Sequence, residues 1–300
     1  MSRDDLSWSP VSERELNIPV TLASGQSFRW RQTDRGDWIG AIGDLAVQLR
    51  PLPDRLGWRT LPEPGRWDVI AHYFALEVPI ESLYEQWRRT EPRMHTVTER
   101  WRGLRILRQP AEEALGAFLC ACCNTVVKIG RSVSSLASLY GRPLAEFDGI
   151  PCFAFPSIRS LAAASEQALR ERLWGFRAPR VIEAAQYIAE RPTGWLEELR
   201  RAPYPEAHAE VSEIPGIGAK IADCVCLFGL WHDEAVPVDT HIRRIVTEWY
   251  APELLSRSLT IGAYRRLGET LRQRFGEYAG WAQQYLFWDA IAPKYLPATR

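Results

Sequence analysis

Between Trp30 and Val47 apolar positions alternate with polar ones, with Trp38 and Ile39 between them and Gly and Asp at the turns. A period of two is that of antiparallel strands, and the prolines at 51, 53, 62 and 64 punctuate the end of the region. From Trp67 onward the apolar period lengthens to that of helices, as in residues 114–119 and 267–275. A helix is predicted over 205–213, where Ala207 and Val211 stand four apart. Another restarts at about Ala219 with Ile221, Val225 and Phe228 at helical spacing, and a third runs from Asp239 through Ile245 and Trp249. Pro215 cannot continue the first of these, and Gly216 and Gly218 are expected to give a tight turn with positive φ. The pattern is a helix-hairpin-helix. No internal repeat or low-complexity tract accompanies it.

The hairpin has a chemistry of its own. Free amides at the start of its second helix, together with the helix dipole, favour a phosphate, and two glycines let a nucleic-acid backbone approach. It is not the dinucleotide fingerprint, because Ile221 stands where the last Gly should be, nor a phosphate loop with Gly-Lys-Ser/Thr. An ordinary helical turn stays open on these residues alone. Of 37 basic residues three are lysines, Lys128, Lys220 and Lys294, so arginine is the default cation and Lys220 an exception. A lysine amine can form a Schiff base and a guanidinium cannot. In the first turn of its helix, Lys220 is expected to have a lowered pKa, as the dipole and desolvation favour the neutral amine. A solvated i,i+3 pair with Asp223 is the plainer alternative. Asp239 reads as a helix N-cap, a role compatible with catalysis, since backbone amides would orient the carboxylate and keep it ionised.

With these residues in hand, the chain resembles the 8-oxoguanine DNA glycosylase/AP lyase family of the helix-hairpin-helix glycosylase superfamily. The likeness runs from Leu22-Ala-Ser-Gly-Gln-Ser-Phe-Arg-Trp30 through residues 104–109, 118–129 and 175–180 to the hairpin and Val236-Pro-Val-Asp239, and ends at Gly280-Trp-Ala-Gln-Gln-Tyr-Leu-Phe287. It implies an α+β chain: an N-terminal antiparallel sheet domain like that of the TATA-binding protein over residues 1–105, then an all-helical domain over 106–300 carrying the hairpin. It implies that Lys220 attacks the anomeric carbon of a flipped nucleotide and that Asp239 stabilises the developing positive charge. The Schiff base so formed would lead to strand cleavage. The lesion pocket would comprise Gly25, whose carbonyl meets the extra N–H of the oxidised base, Gln283 on the Watson–Crick edge, and Cys224 and Phe287 on the two ring faces. Without the resemblance these four read as a turn glycine, a helix-surface amide and two core residues. DNA contacts would come from Gly216, Gly218 and His241, the last of which also reads as a histidine at a helix start. Phe176 would be the wedge and Arg177 a contact to the orphaned cytosine. Two positions depart from the family pattern: Cys123 stands where the family has asparagine, with Asn124 following, and Lys128 replaces a second arginine. Lysine cannot make the bidentate fork of arginine, so reading of the opposite cytosine is expected to be weakened.

A formal net charge of zero argues against holding DNA by bulk electrostatics and leaves a local basic face, drawn from residues 170–180, Arg243-Arg244 and Arg265-Arg266. The six cysteines contain no paired C-x-x-C set and none follows Cys226, so buried thiols are expected, with neither metal nor cofactor. The first residues do not read as a signal peptide and no apolar run approaches a membrane span. The expected protein is an intracellular, soluble monomer whose partner is double-stranded DNA containing oxidised guanine. The rival readings are a relative acting on another damaged base and a silent helix-hairpin-helix DNA-binding module; the latter would need neither Lys220 nor Asp239.

Overall fold

The computed structural model describes residues 5–121, 126–171, 178–255 and 258–294. Its first part contains β1 (Ser7–Ser9), α1 (Ile18–Ala23), β2 (Arg31–Gln32), β3 (Trp38–Ile42), β4 (Leu45–Pro51), β5 (Leu56–Leu61), α2 (Trp67–Tyr73), α3 (Ile80–Thr90) and α4 (Met94–Arg100). Then come α5 (Ala111–Ala121), α6 (Val126–Tyr140), β6 (Pro143–Phe147), β7 (Ile150–Phe153), α7 (Ile158–Ala162), α8 (Glu166–Leu169) and α9 (Ala178–Ala189). The last part is α10 (Trp195–Arg201), α11 (Tyr204–Ser212), α12 (Ala219–Phe228), α13 (Thr240–Trp249), α14 (Ile261–Phe275) and α15 (Ala279–Ile291). The expected α+β class, with an N-terminal antiparallel sheet and a larger helical region, holds.

The sheet has the order β1-β5-β4-β3-β2 and every neighbouring pair is antiparallel. One face of β4, with Leu45, Val47 and Leu49, packs on Leu56, Trp58, Ile70, Tyr73 and Phe74. Ala46, on its other face, meets Ile39, Phe147 and Cys152, because the β6–β7 hairpin lies across the sheet. That hairpin comes from the region expected to be wholly helical. In the helical region α12 and α15 are nearly enclosed, and α3 and α4 add Leu83, Tyr84, Trp87, Met94 and Val97 to the same core. Among the described residues no helix is long and apolar enough to cross a membrane.

A buried polar seam joins the two parts. The side-chain Nε2 of Gln26 lies 2.7 Å from the Arg105 carbonyl and 2.9 Å from Ser24 Oγ, while its Oε1 accepts the Leu107 N–H at 2.9 Å. Gln109 Nε2 donates to the Gln26 carbonyl at 2.7 Å, and Gln284 Nε2 on α15 donates to the Ser24 carbonyl at 2.8 Å. The loop after α1 is therefore fixed against both the 105–109 segment and α15. Truncating Gln26 would strand buried backbone groups without partners. Gln26→Ala is expected to lower unfolding free energy by about 2–4 kcal/mol, and exposed Gln32→Ala by less than about 0.5 kcal/mol, both measured by urea denaturation.

Candidate active site

The hairpin forms as its sequence implies, with one correction. Gly216 has φ 84°, the left-handed region where a side chain is strained, but Gly218 is extended at φ −99°, ψ 172°. Positive φ is needed once because the turn closes in a single step, with the Ile217 N–H donating to the Ile214 carbonyl at 3.0 Å. Gly218 serves as the N-cap of α12 and supplies no side-chain cap, and a Cβ there would meet only open space. Both glycines are exposed, so the first amides of α12 face outward.

Lys220 and Cys224 stand one turn apart on α12. Asp239 caps α13: its Oδ1 accepts the His241 N–H at 2.9 Å and the Ile242 N–H at 2.8 Å, and Oδ2 takes part in neither bond. These three side chains share a cavity of about 60 Å³ with Gly25, Gln283 and Phe287. Every lesion-pocket and catalytic residue expected from the sequence thus lines one space, although the segments lie up to 262 residues apart in the chain. Two larger clefts, of about 530 and 540 Å³, contain neither Lys220 nor Asp239.

Burial pushes the Cys224 thiol up to about 11, against the opposing charge and hydrogen bond of Lys220. Cys224 therefore stays a neutral thiol near pH 7. Lys220 Nζ lies 5.9 Å from the centre of the Phe118 ring. Gly25, with φ 81°, sits opposite Phe287, whose Cε1 would be 3.9 Å from a Cβ there. Gln283 is 2% exposed, and among the described residues its Oε1 has no hydrogen-bond partner. An acceptor so enclosed can take a donor from a molecule in the cavity. The ring of His241 stands edge-on to Phe287 at 6.2 Å.

Two sequence expectations fare differently. The alternative of an Asp223 on a solvated face fails: Asp223 is 1% exposed and is bound by the hydroxyls of Tyr204 and Tyr264. Lys128 is exposed on α6, as a DNA contact requires. Cys123, Asn124, Phe176 and Arg177 lie outside the described residues. Sequence reasoning missed Phe118, Phe228, Pro237 and Gln284 as cavity walls. Phe118 and Phe228 stack on each other at 5.4 Å, so their helical spacing carried only the signal of a core.

Residues 9–115 match the family described as 8-oxoguanine DNA glycosylase, N-terminal domain, and residues 124–258 match the HhH-GPD superfamily of base excision DNA repair proteins. The N-glycosylase/DNA lyase OGG1 of Arabidopsis thaliana is 34% identical over 291 residues, spanning 93% of this chain and 79% of that protein. The N-glycosylase/DNA lyase of Saccharomyces cerevisiae is 28% identical, covering 92% and 84%. Among solved structures, MBOgg1 in complex with a low-affinity DNA ligand superposes with a TM-score of 0.83 at 25% identity, covering 96% of this chain and 99% of that one. The 8-oxoguanine glycosylase/lyase of Clostridium acetobutylicum, bound to double-stranded DNA with cytosine opposite the lesion, has the same fold at 24% identity and a TM-score of 0.83, with 98% and 100% covered.

The unequal backbones of the two hairpin glycines give a stability test. Gly216→Ala is expected to destabilise by about 1–2 kcal/mol, the cost of a left-handed alanine. Gly218→Ala should change stability by less than about 0.5 kcal/mol, since the loss of an N-cap glycine is offset by a less flexible unfolded chain. Guanidinium denaturation of the two variants distinguishes them.

Proposed function

This chain belongs to the 8-oxoguanine DNA glycosylase family, and on that premise we propose that it excises 8-oxoguanine from duplex DNA and nicks the resulting abasic strand. The observation that carries the reading is the gathering of Lys220, Asp239, Gly25, Cys224, Gln283 and Phe287 around one cavity. The damaged nucleotide leaves the stack to reach it, at a cost of a few kcal/mol. The Lys220 amine forms a bond to the anomeric carbon as the N-glycosidic bond breaks and its electron pair departs with the base, which takes up a proton. Asp239 faces the positive charge that grows on the sugar. Ring opening gives the Schiff base, and loss of a C2′ proton then expels the phosphate on the 3′ side.

The remaining residues supply recognition. The unpartnered Gln283 Oε1 fits a donor on the Watson–Crick edge of the base, and Cys224 and Phe287 bracket the ring. A cavity of about 60 Å³ is well below the roughly 300–1,000 Å³ of an ordinary small-molecule site. For a base to enter, this space must widen, and Phe287 is its half-buried aromatic wall. Phosphates dock on the outward amides of α12 beside Gly218 and near His241, while Phe176, Arg177, Asn124 and Lys128 meet the opposite strand. The chain is divided for this work into a β-rich unit over 1–105 and a helix-hairpin-helix unit over 106–300.

The covalent step is tested with borohydride. Wild-type protein should be trapped on an 8-oxoguanine duplex, and Lys220→Gln should abolish trapping; undiminished trapping would move the nucleophile elsewhere. Asp239→Asn should lower base release by about two to three orders of magnitude, as loss of a preorganised charge partner does, with lesion-duplex affinity largely kept.

Opposite-base choice follows from Cys123 and Lys128. One bidentate base contact carries about 1–3 kcal/mol of discrimination, so its loss should bring excision opposite adenine, guanine or thymine within about ten-fold of excision opposite cytosine. The double change Cys123→Asn and Lys128→Arg should sharpen the preference. Single-turnover rates against all four bases decide the point, and strict cytosine dependence in the natural protein would assign the contact to Asn124 or Lys128 instead.

A further inference from the structure

Helix α12 points Lys220 and Cys224 into the cavity and carries Asp223 on a different side, where it is almost fully enclosed. Asp223 Oδ1 accepts the Tyr204 hydroxyl at 2.6 Å, and Oδ2 accepts the hydroxyl of Tyr264 from the first turn of α14. His208 on α11 stands 3.8 Å from Oδ2, with its Nε2 3.2 Å from the Ala219 carbonyl at the start of α12. Burial pushes the Asp223 carboxyl up, and His208 and the two phenols pull it back. The Tyr264 oxygen has a second role. It accepts the backbone N–H of Val238 at 3.2 Å.

Val238 immediately precedes Asp239, in a segment with no helix or strand to hold it. It is 2% exposed, so its amide has no solvent to turn to and depends on the phenol oxygen. A continuous path of hydrogen bonds therefore runs from α12 through Asp223 and Tyr264 to the backbone that projects Asp239. Asp223 lies three residues from Lys220 on a single helix, so the path references the carboxylate to the same rigid element that carries the nucleophile. Apolar packing fixes a segment's depth but permits sliding, whereas a hydrogen bond to a backbone amide fixes where that amide is.

We infer that Asp223 and Tyr264 are positioning residues for base excision, setting Asp239 relative to Lys220 through the Val238 amide. The inference rests on the reading of Lys220 and Asp239 given above. Neither residue touches the cavity, so both act through the placement of Asp239. A displacement of about 1 Å in a catalytic group costs on the order of 100-fold in rate.

Tyr264→Phe removes one hydroxyl and keeps the ring. Single-turnover release of 8-oxoguanine should fall by about 10- to 100-fold, with affinity for the lesion duplex changed by less than about three-fold. Schiff-base trapping on a preformed abasic site, which needs Lys220 but no departing base, should fall by less than about three-fold. In an Asp239→Asn background the same change should add less than about two-fold, the non-additivity of groups acting through one another. Hydrogen exchange over residues 236–242 of the DNA-free protein should speed by about ten-fold or more. Asp223→Asn, which keeps an acceptor for one phenol, should give a smaller loss of excision in the same direction. Equal losses of excision and trapping, or full additivity with Asp239→Asn, would mean general damage and overturn the inference, as would unchanged exchange in the 236–242 segment. If wild-type protein released no 8-oxoguanine, the substrate reading would fall, and the exchange measurement would still decide whether Tyr264 holds the segment.

Discussion

A side-chain amide sealed from water must find its partners inside the protein, and Gln26 does so by binding segments that the sequence separates by about 80 residues. Its Nε2 and Oε1 grip the backbone at Arg105 and Leu107, and its own carbonyl is gripped by Gln109. Gln109 in turn donates its N–H to the carbonyl of Phe228 at the end of α12. The loop that carries Gly25 is thus tied, in two steps, to the helix that carries Lys220. Arg105 completes the seam by donating to the carbonyls of Glu15, Ala75 and Val78. Bonds of this kind add little net stability apiece, but losing one partner strands the others, so the seam fixes geometry more than it adds free energy.

The neighbours of Gln26 in the run from Ser24 to Trp30 dock the same way. Tyr73 donates to the Ser27 hydroxyl, Phe28 meets Phe118 edge-on, and Arg29 pairs with buried Glu113 at 2.7 Å. Trp30 donates to the Tyr73 hydroxyl and covers Gly40, where a Cβ would lie 2.6 Å from its ring. A motif met in the sequence as a family mark is, physically, a row of side chains in which Gln26, Phe28 and Arg29 reach the helical side while Ser27 and Trp30 pack within the sheet side. Phe28 reaches the cavity through Phe118, so the fastening also shapes the wall beside Lys220.

Local periodicity was enough to read the hairpin, the three helices around it and the N-cap at Asp239, because each depends on residues a few positions apart. The true partners of Asp223 were not legible for the same reason. Its nearest charged neighbour in sequence is Lys220, yet its partners, Tyr204 and Tyr264, lie 19 and 41 residues away. The β6–β7 hairpin had a local signal, Asp148-Gly149 between apolar residues, but its role is to cover the far face of β4, which no alternation pattern reveals. Gln283 read as a surface amide because a polar residue on a helix usually is one; only its enclosure in α15 makes it unusual.

The approach of α15 to the segment before Asp239 explains why the cavity can be so small. Gly280 lies at the point of contact: a Cβ would fall 2.3 Å from the Ala235 carbonyl, and the Gly280 N–H donates to the Asp233 carbonyl at 2.8 Å. Trp281 and Arg108 both bind the Asp233 carboxylate, locking that loop against α15. With the helix drawn in this far, Gln283 and Phe287 close on Lys220 and Asp239 around the same small cavity. Gln283 Oε1 has no partner among the described residues, and a donor that entered the cavity would remove the cost of about 1–3 kcal/mol that an unpaired buried acceptor carries.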